Sequence, residues 1–349
     1  MASPRSWFPQ YANQARDVIR PLGPVDDQLP TPPELPEGRA VNVPGRGEMF
    51  VREADGEGAS GGPPVVLLHG WTLSADLNWF TGGYQVASAR GRLVAPDLRG
   101  HGRGLRSEQS VSIEAAADDV GALLEHLGTG PAVLAGYSLG GSVALVTWRR
   151  HPEVVAGMVL MSTALQWRAN LRERGTWMVM GGVEYVMRFG APQGITDRYL
   201  RQAAAVSPEI GPVRGWLKAE ARRGDATDIA AAARSLSAFD ARDFAGEVDV
   251  PTAVVVTGQD HLIRAGKQRE LARSIPGAVT VELDGAHNAW MVRPREFSAA
   301  LDEALGSVLE RAGGRSCDGT DAAAPGRIDL VSAETASPPR RVEPEPAGR

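Results

Sequence analysis

An α/β architecture is expected of this 349-residue chain: a mostly parallel sheet with helices on both faces, and one helical insertion. Two observations carry that expectation. Short Val- and Leu-rich runs, apolar at every position, alternate with stretches whose apolar residues recur every three or four positions; the first pattern suits strands buried on both faces and the second amphipathic helices. The alternation then breaks once, between Leu160 and Ala253, where only helical patterns occur.

In chain order, residues 21–36 are dense in proline, which fixes φ and removes backbone donors, so 1–39 reads as an extended N-terminal arm. Strand runs follow at 64–68 and 92–96. Ser112, a candidate N-cap, precedes Ile113, Ala116, Val120, Leu123, Leu124 and Leu127, the stripe of a helix. A strand at 132–135, a helical run at 142–150 and a strand at 155–160 come next. Helical patterns at 168–189, 196–205, 213–223 and 227–236 make 164–245 a helical lid over the sheet's carboxyl edge. Strands at 253–256 and 279–283 resume the rhythm, and Phe297, Leu301, Leu305, Val308 and Leu309 mark a last helix ending near Gly313. The core is thus 40–163 with 246–312. Residues 313–349 have no aromatic residue and too little apolar surface to order themselves, which predicts a disordered tail.

Composition narrows the function. There are 37 Lys and Arg against 42 Asp and Glu, a formal charge of −5. A nucleic-acid or membrane-surface protein would show a basic excess instead. Cys317 is the sole cysteine and cannot form an internal disulfide. No signal-peptide pattern opens the chain and no apolar run is long enough to span a bilayer, so a cytoplasmic protein is expected. No clustering of His with carboxylates suggests a metal, and no cofactor is implied.

The chemistry is concentrated at Gly136-Tyr137-Ser138-Leu139-Gly140, between a strand and a helix. A nucleophile on so tight a turn needs small residues two positions away on either side. The turn lifts the Ser138 hydroxyl from the sheet and aims a helix N-terminus at it. A serine also needs a base, and the base needs an acid to hold its tautomer. Of six histidines, His69, His101 and His126 precede Ser138, and His151 lies at the far end of the following helix. His261 follows a strand end beside Asp260. His287, in the loop after the last strand, is the strongest base. Asp260, just past the penultimate strand, is the preferred acid; Asp284, three residues before His287, is its rival but suits capping of an Asp-Gly turn. The loop after residues 64–68 can present the Trp71 amide to a substrate carbonyl together with that of Leu139, with His69 bracing it.

These residues resemble the α/β-hydrolase superfamily. The His69-Gly70 turn, the Asp97-Leu-Arg-Gly-His-Gly102 run, the elbow, Asp260 and His287 fall in that family's order over about residues 40–312. The resemblance implies the α/β-hydrolase fold, with Ser138 as nucleophile, Asp260 as acid, His287 as base, and Trp71 with Leu139 as oxyanion hole. Within the superfamily the chain is similar to the lidded epoxide-hydrolase-like and cofactor-free haloperoxidase-like groups. It departs from epoxide hydrolases in having a serine where they have a carboxylate nucleophile. The expected function is a serine hydrolase of carboxylic esters, with a small apolar ester or related acyl compound as substrate, since Trp167, Trp177, Trp216 and several methionines of the lid suit an adaptable apolar pocket. The same triad in related folds serves perhydrolysis, acyl transfer and carbon–carbon cleavage. A non-catalytic binding protein on this scaffold is the other class, disfavoured because all three triad residues are present.

Overall fold

The computed structural model describes residues 34–56, 62–106, 111–167, 210–221 and 223–315. Most of the expected arm, the helical patterns at 168–189 and 196–205 and the tail beyond 315 lie outside the described residues. Among the described residues there are eight strands, β1 (Glu37–Val43), β2 (Gly47–Ala54), β3 (Val65–Leu68), β4 (Leu93–Pro96), β5 (Ala132–Tyr137), β6 (Val155–Met161), β7 (Thr252–Thr257) and β8 (Val279–Leu283). They form one sheet in the order β1-β2-β4-β3-β5-β6-β7-β8. β1 pairs antiparallel with β2 and β2 with β4; all other neighbours are parallel.

The six strands read from apolar runs are all present. β3, β4, β5 and β7 are buried along their whole length. Successive side chains point to opposite faces, so Val65 and Leu67 enter one core cluster and Val66 and Leu68 the other. The β1–β2 hairpin was not foreseen. β1 alternates exposed polar positions with buried Val41 and Val43, and it begins at Glu37, inside the stretch read as arm. β8 ends the sheet, and there only Val281 and Leu283 are buried.

Helices cover both faces: α1 (Ala75–Trp79), α2 (Gly83–Arg90), α3 (Ile113–His126), α4 (Leu139–Arg150), α5 (Ile210–Ala221), α6 (Ala226–Ala238), α7 (Ala265–Ser274), α8 (Ala289–Val292) and α9 (Pro294–Arg315). Ser112 caps α3 as expected, its hydroxyl accepting the Ala115 N–H at 3.1 Å. α5 and α6 match the last two helical patterns of the insertion. α9 runs to Arg315, two residues beyond the end expected near Gly313, and Ala304, Leu305, Val308 and Ala312 bury its inner face on the sheet. Among the described residues no helix is long and apolar enough to cross a membrane.

Candidate active site

β5 ends at Tyr137 and α4 begins at Leu139, leaving Ser138 alone on the bend with φ 54° and ψ −113°. A non-glycine residue there costs on the order of 1–3 kcal/mol and persists only if its surroundings enforce it. The Ser138 N–H donates to the Met161 carbonyl at 2.8 Å, tying the bend to β6. A Cβ at Gly136 would lie 2.3 Å from the Gly140 carbonyl oxygen, and one at Gly140 would lie 2.1 Å from that of Leu68. Only hydrogen fits at either position, which is the packing reason for the glycines flanking Ser138.

The two strand ends beyond the insertion deliver the partners. His287, in the loop after β8, places Nε2 3.1 Å from Ser138 Oγ and Nδ1 2.7 Å from Asp260 Oδ2. A carboxylate only accepts, so Nδ1–H donates to Asp260 and the Nε2 lone pair faces the Ser138 hydroxyl. Asp260 is buried. Its Oδ1 accepts the amides of Leu262 and Ile263, both at 2.8 Å, and its Oδ2 accepts the Thr257 hydroxyl at 3.0 Å. Asp284 instead faces outward, 70% exposed, accepting from Gln259 Nε2 at 2.6 Å and Arg293 at 3.1 Å. The structure therefore brings Ser138, His287 and Asp260 together and leaves Asp284 on the surface, bonded to side chains and not capping its turn. Sequence reasoning missed Tyr137, whose hydroxyl donates to the His287 carbonyl and fastens the histidine loop to the elbow. Nothing in its spacing signals that role.

The loop after β3 is held from several sides. The Gly70 N–H donates to Asn78 Oδ1 at 2.9 Å, and the Trp71 indole N–H donates to the Ile229 carbonyl of α6 at 2.8 Å. Thr72 sits at φ 66°, a strained value for a β-branched residue. His69 braces the loop: its Nδ1 bonds the Gly70 carbonyl and its Nε2 accepts the Leu98 N–H, both at 2.8 Å. Burial pushes its pKa down to about 4, so the ring is neutral. Burial likewise lowers His101 to about 3, with the neighbouring His69 adding to the shift. Asp97, raised by burial, accepts the amides of Ala75 and Arg103. The polar run 97–102 thus shapes a loop. Leu139 contributes the first N–H of α4, one of the four at a helix start that lack an intrahelical acceptor.

Ser138 and His287 open onto a cavity of about 480 Å³ whose walls include Trp71, Tyr137, Trp167 and Trp290. Leu236 of α6 also lines it, and so does His261, which is exposed. Among the described residues no group of three or more His, Cys, Asp or Glu is placed to hold a metal ion.

A mostly parallel sheet with a serine on the strand–helix elbow, and a histidine and an aspartate at later strand ends, defines the class as an α/β hydrolase. The chain belongs to the alpha/beta hydrolase fold family, whose model matches residues 63–294. It is 30% identical over 251 residues to the pimeloyl-(acyl-carrier protein) methyl ester esterase of Chromobacterium violaceum, covering 70% of this chain and 94% of that one. It is 37% identical over 107 residues to the dihydrolipoyllysine-residue acetyltransferase component of the acetoin cleaving system of Pseudomonas putida, covering 31% of this chain but only 28% of that one. Among solved structures, a thermophilic esterase from Thermogutta terrifontis superposes with a TM-score of 0.63 at 25% identity, over 78% of this chain and 99% of that one. The protein is therefore a hydrolase-family member with esterase-type relatives.

Proposed function

We propose that the protein is a serine esterase acting on esters of apolar acyl groups through an acyl-enzyme intermediate. The observation that carries this reading is the continuous hydrogen-bonded line Ser138 Oγ–His287 Nε2, His287 Nδ1–Asp260 Oδ2. Ser138 attacks the ester carbonyl while its proton passes to His287 Nε2. The developing oxyanion is taken up by the amides of Trp71 and Leu139, aided by the positive end of α4. His287 returns the proton to the departing alkoxide, leaving acyl-Ser138 and a free alcohol. Water then gives a proton to the same nitrogen, attacks the acyl carbon and releases the acid, restoring Ser138. Asp260 accepts from Nδ1 throughout, fixing the ring orientation and offsetting the imidazolium charge.

An aromatic-walled cavity of about 480 Å³ supports an apolar acyl group larger than acetyl. A fluorophosphonate probe should label Ser138 and no other serine at a comparable rate, and Ser138→Ala should abolish both labelling and turnover; mass-spectrometric mapping decides. Undiminished labelling of that variant rejects the mechanism. For the acyl pocket, each buried methylene is worth about 0.8 kcal/mol, so kcat/KM should rise roughly tenfold for two added carbons. A steady fall from acetate to hexanoate esters contradicts the pocket assignment.

A further inference from the structure

Gln268 of α7 is fully buried beside Asp260 and has no part in the mechanism above. Its amide orientation is fixed by backbone groups at both ends. The Thr257 N–H, a donor, meets Oε1 at 2.9 Å, and the Ile263 carbonyl, an acceptor, meets Nε2 at 2.6 Å. A flipped amide would set donor against donor and acceptor against acceptor. Nε2 therefore also points a hydrogen at Thr257 Oγ1, 2.8 Å away, with Asp260 Oδ2 more distant at 3.3 Å. The Thr257 hydroxyl has one proton. Its two carbonyl-type acceptors are Asp260 Oδ2 at 3.0 Å and Gln268 Oε1 at 3.2 Å. Oε1 already takes the Thr257 N–H, and the carboxylate is both nearer and the stronger acceptor, so the proton goes to Asp260 Oδ2, the same oxygen that receives His287 Nδ1–H at 2.7 Å. Ser162 Oγ, 3.2 Å from Thr257 Oγ1, closes the cluster.

We propose that Gln268 is a positioning residue for the Ser138–His287–Asp260 line: it sets the polarity of the Thr257 hydroxyl, which holds Asp260 Oδ2 in line with His287. The inference rests on the esterase reading. The chain of donors runs one way, from the Gln268 amide through the Thr257 hydroxyl to the carboxylate, and each bond polarises the next. With the Leu262 and Ile263 amides on Oδ1, the carboxylate is clamped at both oxygens and cannot rotate away from the imidazole.

The test measures kcat and KM on a p-nitrophenyl ester for Gln268→Glu, Gln268→Leu, Thr257→Val and Thr257→Ser, in the wild-type background and, for Gln268→Glu, also in Asp260→Asn. Gln268→Glu is isosteric and keeps an oxygen for the Thr257 N–H, but where the amide has two N–H hydrogens a carboxyl has at most one, which the Ile263 carbonyl claims, so the donor to Thr257 Oγ1 is lost. Both Gln268 variants and Thr257→Val should lower kcat about tenfold with KM unchanged, the size expected for a hydrogen bond to a charged group. Thr257→Ser, which keeps the hydroxyl, should stay within about twofold on the same scale. In Asp260→Asn the Gln268→Glu change should cost less than about twofold more, because residues acting as one unit are not additive. An equal loss in both backgrounds, or a rise in KM alone, overturns the proposal. If Gln268→Leu does not fold, Gln268→Glu and the two Thr257 variants still decide it. Wild-type protein whose Ser138 resists the fluorophosphonate overturns the esterase reading and this inference together; labelled protein with equal losses in both backgrounds overturns the role of Gln268 alone.

Discussion

At Asp260 the two carboxylate oxygens have different duties. Oδ1 takes two backbone amides, and Oδ2 takes the imidazole and a hydroxyl. In Asp260→Asn the one remaining oxygen is drawn to the two fixed amides of Leu262 and Ile263, which have no other way to adjust. The new NH₂ then points at His287 Nδ1, which must become an acceptor and leave its proton on Nε2, facing Ser138. That tautomer cannot remove the serine proton. The variant should lose up to roughly 10⁴ in kcat, by analogy with other serine triads. Asp284→Asn, at an exposed site paired with Gln259 and Arg293, should stay within about twofold, since exposed pairs contribute little. Saturating-substrate rates for the two proteins decide between them, and the reverse ranking would transfer the acid to Asp284. The places of Ser138, His287 and Asp260 were legible because each follows a strand end, in the order that the resemblance to the α/β hydrolases implies. Tyr137 and Gln268 were not, since a buried hydroxyl or amide shows its partner only once distant segments have been packed together.

At the scale of elements, the strands that carry the site were legible for a simple reason: burial on both faces leaves an unbroken apolar run. The β1–β2 hairpin escaped because one face meets solvent and Arg39, Asn42, Glu48 and Arg52 interrupt the apolar positions. α4 begins three residues before the helical run read at Ser142, since Leu139-Gly140-Gly141 has the composition of a turn while its backbone is already helical. That helix start is pressed against β3. In Gly140→Ala the new Cβ would meet the Leu68 carbonyl oxygen at 2.1 Å and that of His69 at 2.9 Å, both backbone atoms that no rotamer change can move. The expected cost is about 1–3 kcal/mol of stability, as for other overpacked sites. Because His69 and Gly70 shape the loop proposed to hold the oxyanion, kcat should fall as well. Urea unfolding with parallel ester assays tests this, and an alanine variant of unchanged midpoint and rate would show that the helix start can shift away from β3.

For the whole molecule, the buried histidines set a limit on acid tolerance. His69 and His101 lie with ring centroids 5.4 Å apart, each fully enclosed. Both nitrogens of His69 are engaged: Nε2 accepts the Leu98 N–H, so a proton added there would face another donor. Folded-state values of about 4 and about 3 stand against about 6.5 in an unfolded chain. Between those limits the unfolded chain binds protons that the folded one refuses. Stability from this pair is therefore complete above about pH 6.5 and is lost progressively as pH falls towards 4, on the order of 3 kcal/mol for His69 alone. Asp76 works in the same direction but lower on the scale: burial pushes it up, the Arg52 and Arg103 guanidiniums more than offset this, and its contribution disappears only below about pH 4. Asp97 and Asp228, raised by burial, oppose the trend because they take up protons before the unfolded chain does. The expected net result is uptake of about one proton or more per molecule unfolded near pH 5. Urea midpoints measured from pH 7 to pH 4.5 supply that number through their slope. His101→Asn, which removes one of the two enclosed rings, should flatten the slope by about one proton relative to wild type. A wild-type stability that is level across this range would mean that one of the two rings is protonated in the folded protein, and that the loop network around Asp97 rearranges to accept it.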